Sequence, residues 1–198
     1  MNLQIKLPKP HQAQKAVLDS DARFRVMMCG RRFGKSLISQ NVSIECALHR
    51  QSVAYITPTY QLGKTFFKEI CKQLPDKIFK KNETDLMVNF VTGGSIRFFT
   101  GERLDALRGL KFHLVIIDEA SFISNLEEGW NNSIRPTLTD YKGRAIFLST
   151  PRGKNKMPTI GQNLGWAAND VFLTHFVWSP ICESRNKERT KKMTAKSN

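Results

Sequence analysis

Apolar residues along the chain fall into short unbroken runs that alternate with segments of roughly helical spacing, the pattern of an α/β protein. "RFRVMMC" (Arg23 to Cys29) reads as a strand. The "GKSLISQNVSIECALHR" after it sets Leu37, Ile38, Val42, Ile44, Cys46, Ala47 and Leu48 on an approximate helical face. "SVAYIT" (Ser52 to Thr57) predicts a buried strand ending at Pro58, and "YQLGKTFFKEICKQL" a second helix ending before Pro75. In "DLMVNFVTGGSIRFFT" apolar and polar positions alternate around Gly93-Gly94, a hairpin signal. "FHLVIID" and "GRAIFLST" are continuous apolar runs suited to central strands covered on both faces, and "VFLTHFVW" is a weaker third. No internal repeat is present. These elements predict an α/β domain over residues 1–180, with a mainly parallel central sheet, flanking helices and one inserted β-hairpin. Residues 181–198 turn polar and basic and read as a tail or the start of a linker.

Composition narrows this reading. The 198 residues, 40% of them apolar, suffice for one sizeable core and leave little room for a second domain. The 31 Lys+Arg against 17 Asp+Glu give a formal charge of +14, which favours polyanions such as nucleic acid. Basic runs also serve as solvated faces, so charge alone names no partner. Cys29, Cys46, Cys71 and Cys182 form no CxxC pair and have no His cluster beside them, which argues against zinc and for isolated thiols in a reducing compartment. There is no secretory leader pattern at the N-terminus and no apolar run near the roughly 18 residues of a membrane span. The expectation is a soluble intracellular protein without a membrane partner.

The chemistry-bearing stretches sit where strands end. "CGRRFGKS" (Cys29 to Ser36) follows the first strand and opens the first helix, the arrangement in which loop amides and a helix N-terminus face a phosphate chain. Gly30, Arg31, Arg32, Phe33, Gly34, Lys35 and Ser36 are thus candidate nucleotide-binding residues. Gly34 lets the backbone approach the phosphates, Lys35 reaches the β- and γ-phosphates, and the Ser36 hydroxyl can ligate Mg²⁺. Cys29 stands six before Lys35 where the loop pattern wants glycine; it is small, and Gly30 beside it supplies flexibility. "HLVIIDEAS" ends a strand on Asp118-Glu119, two carboxylates at the edge where open α/β sheets bind ligands. Asp118 suits Mg²⁺ through its water shell, and Glu119 suits orienting and deprotonating an attacking water. An acidic pair capping the next helix is the plainer alternative for these two.

"KPHQAQKAV", "CGRRFGKS", "YITPTYQLGK", "GGSIRFF", "LRGLKFHLVIIDEASFI" and "GWNNSIRPTLTDYKGRAIFLSTPRGKN" together resemble, in order and spacing, the ATPase domain of the large terminase subunit of tailed bacteriophages. That resemblance implies a P-loop NTPase fold of the RecA-like (ASCE) type, ATP and Mg²⁺ as ligands, and ATP hydrolysis that drives double-stranded DNA into a procapsid. It also implies a homo-oligomeric ring working with a portal protein and a small terminase subunit in the cytoplasm of a bacterial host. Gln14 resembles the family's adenine-reading glutamine. Thr150, in "STP", resembles the residue that couples the γ-phosphate state to movement. Arg31 resembles a loop arginine acting in its own site, and Arg108 the arginine that neighbouring subunits present to one another. For Arg32 a surface charge or DNA contact is the preferred reading.

Large terminases of this family also carry a metal-dependent nuclease domain. After Glu119 the sequence offers only Glu127, Glu128, Asp140, Asp170, Glu183 and Glu188, none on a strand end suited to a two-metal cluster, so no nuclease activity is expected of this chain. Two other readings stand beside the motor: a non-catalytic nucleotide- or DNA-binding remnant, and a helicase-like P-loop ATPase, which would normally need a second RecA-like domain. The stretch Met157 to Asp170 also lacks the aromatic-rich helix that the resemblance leads one to expect.

Overall fold

The computed structural model describes Ile5, residues 7–150 and the backbone of 171–177. The expected boundary at residue 180, the 181–198 tail and the stretch Met157 to Asp170 lie outside these residues.

Among the described residues eight strands form one sheet: β1 (Phe24–Cys29), β2 (Ser52–Thr57), β3 (Phe79–Asn82), β4 (Met87–Phe90), β5 (Ser95–Thr100), β6 (Leu114–Ile117), β7 (Arg144–Ser149) and β8 (Val171–Val177). Their order is β3-β4-β5-β2-β6-β7-β1-β8. Pairing is parallel from β5 through to β8 and antiparallel only at the β3-β4-β5 end. Every apolar run read as a strand is a strand, and the weak "VFLTHFVW" run pairs in parallel beside β1.

Because successive strand side chains point to opposite faces, each unbroken apolar run feeds two cores. Leu114 and Ile116 of β6 join Met27, Tyr55, Phe98, Ile146 and Leu148 on one face. Val115 and Ile117 join Val26, Ile56, Phe99 and Phe147 on the other. The first face is covered by α2 (Lys35–Leu48) and α3 (Tyr60–Gln73), through Ile38, Ile44, Ala47, Phe66, Phe67 and Ile70. Thr59 caps α3 by accepting from the Leu62 amide, and the helix stops before Pro75. The second face is covered by less regular chain: a 3₁₀ stretch at Gly101–Leu107 and a helical run from Leu126 to Thr137, with Leu104, Leu107, Trp130 and Ile134 buried. That run passes through a π turn at Trp130–Ile134, with Pro136 two residues beyond its end. Proline has no N–H for the regular ladder, a sufficient physical reason for the local change of pitch.

The hairpin expected around Gly93-Gly94 is present, with Gly93 at φ +101°. It is part of a three-stranded antiparallel edge, because β3 pairs with β4 as well. Only Phe79 of β3 is buried, while Lys80, Lys81 and Asn82 face solvent, so hydrophobic patterning could not announce it. Charged residues on an edge strand also discourage unwanted pairing with other chains. A short helix α1 (Gln12–Leu18), likewise absent from the pattern, precedes β1. Among the described residues no helix is long and apolar enough to cross a membrane.

Candidate active site

Three neighbouring parallel strands, β6, β7 and β1, end at one edge of the sheet. The loop Gly30 to Gly34 leaves β1, Asp118 and Glu119 leave β6, and Thr150 leaves β7. Residues far apart in sequence are thereby gathered at the carboxyl edge, where sheets of this kind bind ligands.

The loop after β1 bends through left-handed backbone at Arg32 (φ 66°) and at Gly34 (φ 87°). Gly34 is the N-cap of α2 and carries no capping side chain, so the first-turn amides of a 14-residue helix are left for another acceptor. Alternation of this kind turns backbone N–H groups toward a common centre suited to an anion. Lys35 is only 7% exposed, and its Nζ donates to the carbonyls of Cys29 (3.1 Å) and Gly30 (3.3 Å). Cys29 itself points into the core, and burial pushes its thiol up to about 12. It is a small core residue in the position where the pattern wants glycine.

Helix α1 is pinned beneath this loop. The Gln14 Nε2 donates to the Phe33 carbonyl at 2.8 Å, and its Oε1 accepts the His11 backbone N–H at 3.0 Å. The His11 ring meets Phe33 edge-on with centroids 4.7 Å apart. Gln14 is 4% exposed, so its amide is engaged with the chain itself.

The carboxylates differ in environment. Asp118 is 1% exposed; Oδ1 accepts the Glu119 amide at 2.9 Å and Oδ2 accepts the Tyr55 hydroxyl at 3.1 Å. Burial, and next the neighbouring Glu119 charge, push its carboxyl up to about 6, against the pull of these hydrogen bonds and of Lys35. Glu119 has left-handed backbone (φ 47°), a conformation strained for a side chain of this kind. Its Oε1 accepts from the Thr150 hydroxyl at 3.0 Å, and its buried Oε2 has no hydrogen-bond partner among the described residues. Neither carboxylate caps a helix with its side chain. Behind Asp118, the Tyr55 hydroxyl also lies 2.6 Å from Ser39 Oγ, which is 2.9 Å from the Ser36 carbonyl. The sequence pattern marked Tyr55 only as part of a buried strand. A phenol inside an otherwise apolar run, needing a partner for its hydroxyl, was the signal that could have singled it out.

The arginines part company. Arg31 and Arg32 are exposed on the loop itself. Arg108 is held elsewhere: its Nη2 pairs with Asp105 at 2.9 Å and its Nε donates to Ser133 Oγ at 3.3 Å. These partners belong to segments covering the sheet face opposite α2, so Arg108 is not part of the cluster formed by Lys35, Asp118 and Glu119.

The family profile described as "Terminase large subunit, T4likevirus-type, N-terminal" matches residues 26–180. The chain belongs to that family. The terminase large subunit of Thermus phage G20c is 31% identical over 170 residues, covering 74% of this chain and 35% of that protein. The chain thus spans about a third of the length of this terminase relative. The large terminase ATPase domain of Thermus phage P74-26 superposes with a TM-score of 0.71 at 22% identity, over 93% of this chain and 87% of that one. A large terminase from a thermophilic bacteriophage, solved in complex with ADP, gives 0.62 at 15% identity over 89% of this chain and 49% of that one. The fold is therefore of the P-loop, RecA-like type, as the family resemblance implies.

The terminase site suits a metal that arrives with a nucleotide. Among the described residues no three His, Cys, Asp or Glu side chains gather into a metal cage. An alcohol (Ser36) and a carboxylate (Asp118) are hard oxygen donors, and magnesium is commonly held by one or two such groups together with substrate phosphates. The Glu119 Oε2, without a hydrogen-bond partner among the described residues, adds a buried acceptor beside them.

Proposed function

We propose that this chain is the ATP-hydrolysing motor domain of a phage or prophage DNA-packaging terminase, turning over ATP with Mg²⁺ to translocate double-stranded DNA. The observation that carries the reading is the convergence of an uncapped helix N-terminus, Lys35, Asp118 and a strained Glu119 at one sheet edge. Loop amides from Gly30 to Ser36 and the Lys35 ammonium hold the β- and γ-phosphates. Ser36 and Asp118 would hold Mg²⁺, which would offset the negative charge that develops in phosphoryl transfer. Glu119 accepts a proton from water at Oε2 while Thr150 fixes Oε1. Gln14 seats the loop through Phe33, alongside the adenine contact implied by its place in the family. Arg31 serves the site of its own chain, and Arg108 a neighbour's.

The surplus of 14 positive charges suits a surface that tracks DNA phosphates. A ring of such chains, with portal protein and small terminase subunit as partners in the host cytoplasm, is the assembly the family suggests. Steady-state ATP hydrolysis with Mg²⁺, with and without double-stranded DNA, tests the proposal beside Glu119→Gln and Lys35→Ala. The expected result is turnover by the parent, nucleotide binding without turnover in Glu119→Gln, and weakened binding in Lys35→Ala. Nucleotide bound without turnover by the parent would favour a non-catalytic remnant. Undiminished hydrolysis by Glu119→Gln would refute the mechanism.

A further inference from the structure

Tyr55 lies in the middle of β2, fully buried, between β5 and β6 in the sheet. Its ring packs on Phe66 and Phe98, with centroids 5.6 and 5.3 Å away. Phenylalanine would fill that space equally well, so packing does not account for the hydroxyl. A buried hydroxyl must find partners or cost stability, and here both partners lead to the nucleotide site. On one side Tyr55 donates to Asp118 Oδ2 at 3.1 Å. On the other it meets Ser39 Oγ at 2.6 Å, and that oxygen is 2.9 Å from the Ser36 carbonyl. Ser39 is itself fully buried, and its carbonyl takes the Ser43 hydroxyl at 2.7 Å. A continuous row of polar atoms therefore crosses the apolar core from the end of β6, through β2, to the first turn of α2. Its two ends are the Asp118 carboxylate and the backbone of Ser36. The single Ser39 proton serves either the Tyr55 oxygen or the Ser36 carbonyl at one time.

We propose that Tyr55, with Ser39, is a positioning residue that fixes the separation of Ser36 and Asp118, so that both oxygens meet one divalent cation together. The inference rests on the nucleotide-site reading above and adds to it a residue outside the loop and the acidic pair. Asp118 has one oxygen held by the Glu119 amide and the other by Tyr55. Removing the phenol hydroxyl releases one of these restraints and breaks the polar row between β6 and α2, while the contacts of Phe33 with Gln14 and of Lys35 with Cys29 and Gly30 remain. Partners of this kind behind a ligand typically contribute about 10- to 100-fold to metal affinity.

The test uses the full chain as parent, Tyr55→Phe and Ser39→Ala. ADP affinity is measured in chelator, and Mn²⁺ affinity of the ADP complex by electron paramagnetic resonance. For Tyr55→Phe, chelator-phase ADP affinity is expected within about twofold of the parent while Mn²⁺ affinity falls about tenfold or more. Ser39→Ala should move in the same direction. Should Tyr55→Phe not fold, Ser39→Ala decides on the same criterion. Mn²⁺ affinity close to that of the parent, or an equal fall of ADP and Mn²⁺ affinity, overturns the positioning role. A parent that binds neither ADP nor Mn²⁺ overturns the nucleotide-site reading itself, and this inference with it.

Discussion

The Thr150 hydroxyl donates to Oε1 of Glu119 across 3.0 Å, and Oε2 is a buried oxygen with no partner among the described residues. Thr150 follows β7, the strand between β6 and β1, so one hydroxyl ties the carboxylate to the strand separating the acidic pair from the phosphate loop. A residue that by resemblance couples the γ-phosphate state to movement is also placed to orient the Glu119 carboxylate.

Thr150→Val should therefore lower turnover and spare binding. Loss of one hydrogen bond to a charged group is worth about 1.5–3 kcal/mol, or roughly 10- to 100-fold in rate if it is lost only in the transition state. The expected result is a fall of about tenfold or more in kcat with nucleotide affinity nearly unchanged, and recovery in Thr150→Ser. A Val variant with parental kcat would remove Thr150 from the mechanism.

Gly34 is sensitive for two independent reasons. Its φ of 87° disfavours any side chain, and a Cβ there would stand 2.7 Å from Gln14 Nε2. Gly34→Ala must strain the backbone by about 1–2 kcal/mol and also push Gln14 off the Phe33 carbonyl, at about 1 kcal/mol more. Thermal melting should show the loss of stability, and nucleotide titration a weakened site. Combining it with Gln14→Ala should relieve the collision and leave the backbone strain, so a complete rescue would contradict this account.

How much of this was legible in the sequence depends on what each residue does. β1, β2, β6 and β7 were readable because strands covered on both faces must be apolar throughout. The meeting of the loop and the acidic pair was readable because both follow apolar runs whose strands end at the same edge of the sheet. β3 was not, since Lys80, Lys81 and Asn82 on an exposed edge carry no periodic signal. Nor was α1, whose start depends on a capping box made by His11 and Gln14. The second face of the sheet was hidden for another reason: 3₁₀ and π turns bury Leu104, Trp130 and Ile134 without keeping a 3.6-residue period. Tyr55 was concealed by its own success as a core residue, because its role depends on a hydroxyl contact with a residue 63 positions away.

Asp118 should cost the fold stability at neutral pH. Its carboxyl sits at about 6 in the folded chain against an ordinary 3.8. The native state therefore keeps the proton to higher pH than the unfolded chain does. The contribution of this carboxyl to stability is greatest below the ordinary value and declines as pH rises from about 4 through about 6, by an amount on the order of 3 kcal/mol. Asp118→Asn removes the charge and can still pair with both the Glu119 amide and the Tyr55 hydroxyl. In chelator it should melt higher than the parent at pH 7.5, with the difference closing toward pH 4, while metal-dependent turnover is lost. A difference in melting that does not change with pH would show that burial of this charge is not the cause.

Arg108 lies on the face of the sheet opposite α2, with its side chain 59% exposed and paired to Asp105 at 2.9 Å. An exposed pair of this kind contributes about 0–1 kcal/mol, so Arg108→Ala should melt close to the parent and bind nucleotide normally. If the arginine completes a neighbour's site, its loss should abolish turnover only in assembled protein. The informative measurement mixes Arg108→Ala chains, which keep an intact phosphate loop, with Lys35→Ala chains, which keep the arginine. Each alone should be nearly inactive, and the mixture should regain turnover where a Lys35→Ala chain stands beside an Arg108→Ala chain. An unaltered rate for Arg108→Ala alone, at concentrations where the parent assembles, would rule out a role across subunits and leave Arg31 to serve the transferring phosphate.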